Sequence, residues 1–144
     1  MRDPLTVGGA LNELCRTDFQ VFVERVFATL DPAATLERSA YLEILTDYLA
    51  RVERGELKRL LITIPPRHLK SIATSIALPA WALGRDPTRR IITVSYAKDL
   101  TTEHSRNFQK IMRSGWPFLA VTRLAAFTTR FTSVAVGTTI PTQR

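Results

Sequence analysis

Several things are scarce in this chain of 144 residues, and each scarcity excludes something. Cys15 is the single cysteine, so no disulfide can form within the chain. Small secreted domains lean on disulfides, so a reducing cytoplasm is the expected setting, with Cys15 on a buried helix face. No apolar run approaches the ~18 residues that a membrane-spanning helix requires. The N-terminal stretch MRDPLTVGGALNELC has no apolar core of the kind a secretory signal needs. Negative charge is also scarce, in one half only. Residues 1–57 hold 6 Lys/Arg against 10 Asp/Glu, a net of −4, whereas residues 58–144 hold 14 against 3, a net of +11. A basic half beside an acidic one points to a polyanion, either nucleotide phosphate or nucleic acid. A solvated surface is the plain alternative.

What is present divides near residue 57. Leu11, Leu14, Cys15, Phe19, Phe22, Val23, Val26, Phe27 and Leu30 recur at helical spacing, which predicts one amphipathic helix over 11–30, stopped by Asp31-Pro32. A second helix is expected over 39–54, with Tyr41, Ile44, Leu45, Tyr48, Leu49 and Val52 inward and Gly55 as its C-terminal cap. The pattern then changes. RLLITI (59–64) and RIITVSY (90–96) read as strands buried on both faces. Between them, residues 69–84 read as a helix that Pro79 should kink or shorten. Asp86-Pro87 reads as a turn. A further amphipathic helix is expected over 98–115, with Leu100, Phe108, Ile111 and Met112 inward and His104 on its surface. Residues 128–140 look like strand material, with Gly137 as a turn. Strand, loop, helix, strand, helix is a βαβ order, which implies a parallel sheet with a right-handed crossover.

The loop IPPRHLKS (64–71) carries the candidate chemistry. A phosphate-binding loop needs backbone N–H groups around the phosphates, a lysine reaching the terminal ones and a hydroxyl on Mg²⁺. The positive end of the following helix favours an anion at the same place. Lys70 and Ser71 stand where that chemistry requires them. The two glycine positions of the GxxxxGK[ST] pattern, however, are Ile64 and Leu69. Glycine is favoured there because it takes positive φ without strain. The motif alone leaves a nucleotide site and a plain strand-to-helix turn both open.

Landmarks beyond the loop carry a resemblance. Pro65, Pro66, Arg67, His68, Leu69, Lys70 and Ser71 are followed by Pro79-Ala80-Trp81 and Gly84, by Asp86-Pro87, and by Ser95-Tyr96. Thr122–Leu124 and Arg130–Val134 continue the order. Over roughly residues 20–134 the chain resembles the N-terminal ATPase domain of the large subunit of phage terminases, the motors that package viral DNA into proheads. The resemblance implies an N-terminal helical segment, 1–57. It is followed by a partial P-loop NTPase (ASCE-type) α/β domain, 58–144, with a parallel sheet flanked by helices. It implies ATP and Mg²⁺ as cofactors. Pro66, Arg67, His68, Leu69, Lys70 and Ser71 would cradle phosphate. Lys70 would reach the β- and γ-phosphates, Ser71 would ligand the metal, and Arg67 would stabilise charge on the transferred phosphoryl. His68 would pack the loop or approach phosphate, and Tyr41 is a candidate neighbour of the adenine. Double-stranded DNA, a portal protein and a terminase small subunit would be the partners, in the cytoplasm of a bacterial host, the chain being phage or prophage encoded.

The same resemblance marks what is missing. Hydrolysis needs a second strand ending in an acidic pair. After Ser71 the only carboxylates are Asp86, Asp99 and Glu103, and none follows a buried apolar run. The acidic strand, coupling motif and nuclease carboxylates of the family have no counterpart, and AVGTTIPTQR reads as a truncation or a shifted frame. The expectation is a fragment that binds nucleotide weakly at most, turns over no ATP and, with an open sheet edge, is marginally stable. A basic, non-enzymatic DNA- or nucleotide-binding fragment is the alternative. A helicase-like or partitioning ATPase is disfavoured, because those keep the glycine before the lysine.

Overall fold

A computed structural model of the chain describes residues 7–65, 68–116, 119 and 132–135, the last four as backbone. The described elements run α1 (Val7–Thr17), α2 (Phe19–Leu30), α3 (Ala40–Glu53), a π-helical segment (Ile72–Ala77) continuing into α4 (Leu78–Arg85), β1 (Ile92–Ser95), α5 (Lys98–Arg113) and β2 (Thr132–Ala135).

The expected helix over 11–30 is two helices. Asp18 interrupts it with an extended backbone, and its Oδ1 accepts from the N–H groups of Gln20 (2.8 Å) and Val21 (3.2 Å), which caps α2. A short acidic side chain bonds the free N–H groups of a helix start better than it tolerates a helix interior. Cys15, Phe19, Phe22, Val23 and Val26 are buried as expected, whereas Leu11 and Leu14 are exposed. The boundaries of α3 match the expectation. Gly55, at φ 79°, closes it: its N–H bonds to the carbonyl of Val52, and the Glu56 N–H bonds to that of Arg51. That left-handed pair of bonds is the C-terminal motif glycine serves. The buried face is rotated, however. Leu42, Leu45, Thr46, Leu49, Ala50 and Glu53 face inward, leaving Ile44 and Tyr48 exposed. Thr46 is tolerated in the core because its hydroxyl donates to the Leu42 carbonyl at 2.8 Å.

Pro79 neither ends nor visibly shortens its helix. Helical structure runs from residue 70 to 85, and the turns before the proline widen to π geometry, with the Leu78 N–H on the carbonyl of Ala73. A proline ring clashes with the carbonyl four residues back, and widening the preceding turns relieves such a clash. The residues flanking it are the core of the molecule. Ala73, Ile76, Ala77, Ala80, Trp81 and Leu83 are buried against Phe19, Phe22 and Val26 of α2 and against Phe108 and Ile111 of α5. Trp81 stacks on Phe19, ring centroids 4.9 Å apart, and its Nε1–H donates to the carbonyl of Cys15 at 2.9 Å. Trp116 meets Phe22 edge-on at 5.6 Å, under the guanidinium of Arg25. The turn at Asp86-Pro87 forms as expected. The Thr88 hydroxyl, and then its N–H, hold the Asp86 carboxyl below its ordinary range.

The α/β P-loop fold class does not hold. Six of the eight described elements are helical. The strand that should feed the loop does not form: residues 59–64 are extended but pair with no described strand. Leu60, Ile62 and Ile64 pack against the core, while Leu61 is 91% exposed, so this run is covered on one side only. The described β-structure is a two-stranded ribbon, β1 in parallel with β2 from Ile92 opposite Thr132 to Ser95 opposite Ala135. Nor is β1 buried, since Ile92 and Val94 point to solvent. With helices alone covering α3 and α4, no multi-stranded sheet exists to bury either apolar run on both faces. The residues expected as Thr122–Leu124, most of Arg130–Val134 and the turn at Gly137 lie outside the described residues. No described helix is long and apolar enough to cross a membrane.

If Trp81 holds α1 and α2 against α4 in this way, Trp81→Ala should destabilise the chain by about 3–5 kcal/mol. Trp81→Phe, which keeps most of the packing and strands the Cys15 carbonyl, should cost about 1–3 kcal/mol. Urea unfolding followed by circular dichroism measures both.

Candidate functional site

The loop expected to hold phosphate has one feature its sequence did not promise. Leu69 adopts φ 55°, the one described non-glycine residue in the left-handed region. A branched, bulky side chain is disfavoured there by roughly 1–2 kcal/mol, and such conformations gather where a site imposes them. Leu69 occupies the position where the phosphate-loop pattern has its glycine. Its carbonyl accepts from the Ala73 N–H at 2.8 Å, so it also starts the helix. The backbone turn expected of glycine is therefore made by leucine, whose side chain packs on the core.

Lys70 and Ser71 form the first turn of a helix that continues to residue 85. Ser71 is exposed and makes no side-chain cap. Lys70 is half-buried, and its ammonium forms no ion pair among the described residues. The first N–H groups of a helix have no intrahelical partner, and the positive end of the dipole lies there. This turn thus offers a free cation, a hydroxyl and outward N–H groups to an anion. The Thr74 hydroxyl donates back to the Lys70 carbonyl at 2.7 Å, a bond that firms the turn behind the lysine. His68 is tied to α3, its ring edge-on to Tyr41 at 5.2 Å. Tyr41 also borders an apolar groove of about 450 Å³ between α3 and residues 60–64. His68, Leu69, Lys70, Ser71 and Tyr41 are thus brought together. Pro66 and Arg67 lie outside the described residues.

A second constellation was not foreseen. Glu53, in the last turn of α3, has a side chain only 2% exposed. Its Oε1 lies 3.1 Å from Arg89 Nη1 and its Oε2 3.5 Å from Arg85 Nη1, where Oε2 makes an ion-pair contact but no hydrogen bond. Arg89 also donates to the Glu53 backbone carbonyl at 3.1 Å, and the Arg85 guanidinium lies over Trp81. These residues pin the end of α3 to the turn after α4, beside a groove of about 440 Å³ lined in part by Glu53, Leu78, Arg89 and Arg90. One signal was available: a glutamate closing a helix sits at the wrong end of the dipole, which calls for a compensating cation. No group of three His, Cys, Asp or Glu placed to hold a metal occurs among the described residues.

Comparison of the chain with protein-family models, with curated proteins and with solved structures gives no match.

Glu53→Ala leaves Arg85 and Arg89 without their shared anion, and a full buried-pair loss would cost about 3–5 kcal/mol. Both arginines reach solvent, so the expected cost is about 2–3 kcal/mol, read by urea unfolding. Arg89→Ala should cost less, because Arg85 still faces the carboxylate.

Proposed function

We propose that residues 66–71 bind the phosphates of ATP, in a chain whose loop and landmarks derive from a terminase large subunit. Leu69 carries this reading: at the position where a phosphate-binding loop uses glycine, it takes the conformation for which glycine is used, directly before Lys70 and Ser71. Lys70 would then meet the terminal phosphates, with the N–H groups of the first helical turn around them. The Ser71 hydroxyl would complete the shell of a Mg²⁺ that arrives with the nucleotide, and Arg67 would add a second positive charge. The proposal rests on the loop and its helix, not on the sheet that the structure lacks. The activity is binding without turnover, because no carboxylate is placed to activate water. DNA, portal protein and small subunit remain the partners the terminase reading proposes, with the bacterial cytoplasm as its setting.

One observation favours the basic-fragment reading beside it. Arg106, Lys110 and Arg113 stand at helical spacing on an exposed face of α5 and form no ion pair among the described residues. With Thr29, Gln109 and Ser114 they line a groove of about 530 Å³ that no carboxylate borders. Such a face suits the phosphates of a nucleic acid. Charge also complements the C-terminal dipole of α5, which is its simplest structural role.

Titration calorimetry with Mg-ATP tests the first reading. Lys70→Ala should weaken binding at least about tenfold. Leu69→Gly should leave binding equal or tighter while stabilising the fold by up to about 1 kcal/mol, since strain is removed and some chain entropy is added. Unchanged binding in Lys70→Ala would refute the site. For the second reading, replacing Arg106, Lys110 and Arg113 by glutamate should abolish duplex DNA binding and flatten its salt dependence. DNA binding that survives this change would place the contact elsewhere.

A further inference from the structure

The ribbon leaves one edge of β1 without a partner. β2 occupies the other edge, and no further strand pairs with β1 among the described residues. Soluble proteins guard such edges with a lysine, a proline, a bulge or a covering segment. Here Ile92–Ser95 reads ITVS, with no charge, proline or glycine. Helix α5 packs on the ribbon, and Thr93 and Ser95 are the half-buried members of β1. The alternate set is uncovered: Ile92 is 72% exposed, Val94 57% and Tyr96 77%. These are β-branched and aromatic residues, the types that stabilise a sheet through contacts with side chains of a neighbouring strand.

The stripe is symmetric about its centre. In an antiparallel pairing of β1 with β1 of a second copy, Val94 at the two-fold axis would face Val94. Ile92 of each chain would face Tyr96 of the other. Every directly opposed pair on that face is then apolar, one aliphatic pair at the axis and two aliphatic–aromatic pairs beside it. Pairing with a shift of two residues would leave an apolar side chain at each end without an opposite number. A two-fold arrangement also closes on itself, so it consumes the edge rather than extending it.

We propose that the free edge of β1 is a self-association surface, where two copies of this chain pair antiparallel about Val94 into a four-stranded sheet ordered β2, β1, β1, β2. The occupant is a second copy because the stripe is complementary to itself. The proposal stands independently of the phosphate-binding reading, since neither Lys70 nor its loop takes part.

Position 94 gives the test. Val94→Cys should form an intermolecular disulfide under mild oxidation, because directly opposed residues of antiparallel strands bring their Cβ atoms close to disulfide reach. Ile92→Cys alone should not, whereas the double variant Ile92→Cys with Tyr96→Cys should cross-link again. Cys15 is buried and does not compete. By light scattering, the unmodified chain should show twice the monomer mass of 16.2 kDa at tens of micromolar. Val94→Lys should return it to the monomer while its far-ultraviolet circular dichroism is unchanged. A monomeric unmodified chain would overturn the proposal. So would equal cross-linking of Val94→Cys and Ile92→Cys, or a mass growing beyond the dimer.

Discussion

The indole of Trp81 is the interaction on which the rest of the structure depends. It sits at the centre of α4, its ring on Phe19 of α2, its N–H on the carbonyl of Cys15 in α1 and the Arg85 guanidinium over its face. One side chain thus joins three helices and orders the arginine that meets Glu53 at the end of α3. The fixed helix from residue 70 to 85 in turn fixes its own first turn, where Lys70 and Ser71 stand. The position of the candidate phosphate site therefore follows from a core contact eleven residues further along the chain.

Two backbone departures flank that helix, and both trace to side chains that do not suit their positions. Leu69 holds a left-handed conformation at the helix start. Pro79 stands where a helix needs an N–H, and the turns before it open to π geometry. Strain of this kind persists only where surrounding packing over-determines it. The apolar side chain of Leu69 on the core and the buried run from Ala73 to Leu83 supply that packing. A glycine loop would reach the same turn with less strain but without the anchoring side chain, so the loop exchanges conformational freedom for a fixed position.

Much of the helical organisation was legible in the sequence. The ends of α3 and α5, the Gly55 cap and the helix opening at Lys70 all follow from periodicity and from residues with one dominant local role. The break at Asp18 was legible in kind, as a capping residue within an apolar-periodic run, but periodicity alone joined α1 to α2. The face of α3 was misjudged because Ile44 and Tyr48 are as apolar as Leu42 and Ala50. Only the position of α2 and α4 selects among them. The strands were misjudged for a related reason: RLLITI and RIITVSY are apolar enough to be buried on both sides, but burial requires neighbouring strands that residues 59–64 do not have.

The sequence by itself determined the local decisions, namely where helices start and stop, where the chain turns, and that Lys70 and Ser71 open a helix after a loop. These depend on contacts within a few residues, such as caps, rotamer limits and the missing N–H of proline. Tertiary structure alone decided which apolar faces were covered, that Glu53 would share two arginines from across the fold, and that Leu69 would be held left-handed. Each of those outcomes is the sum of contacts between residues far apart in the chain, and no local preference encodes that sum.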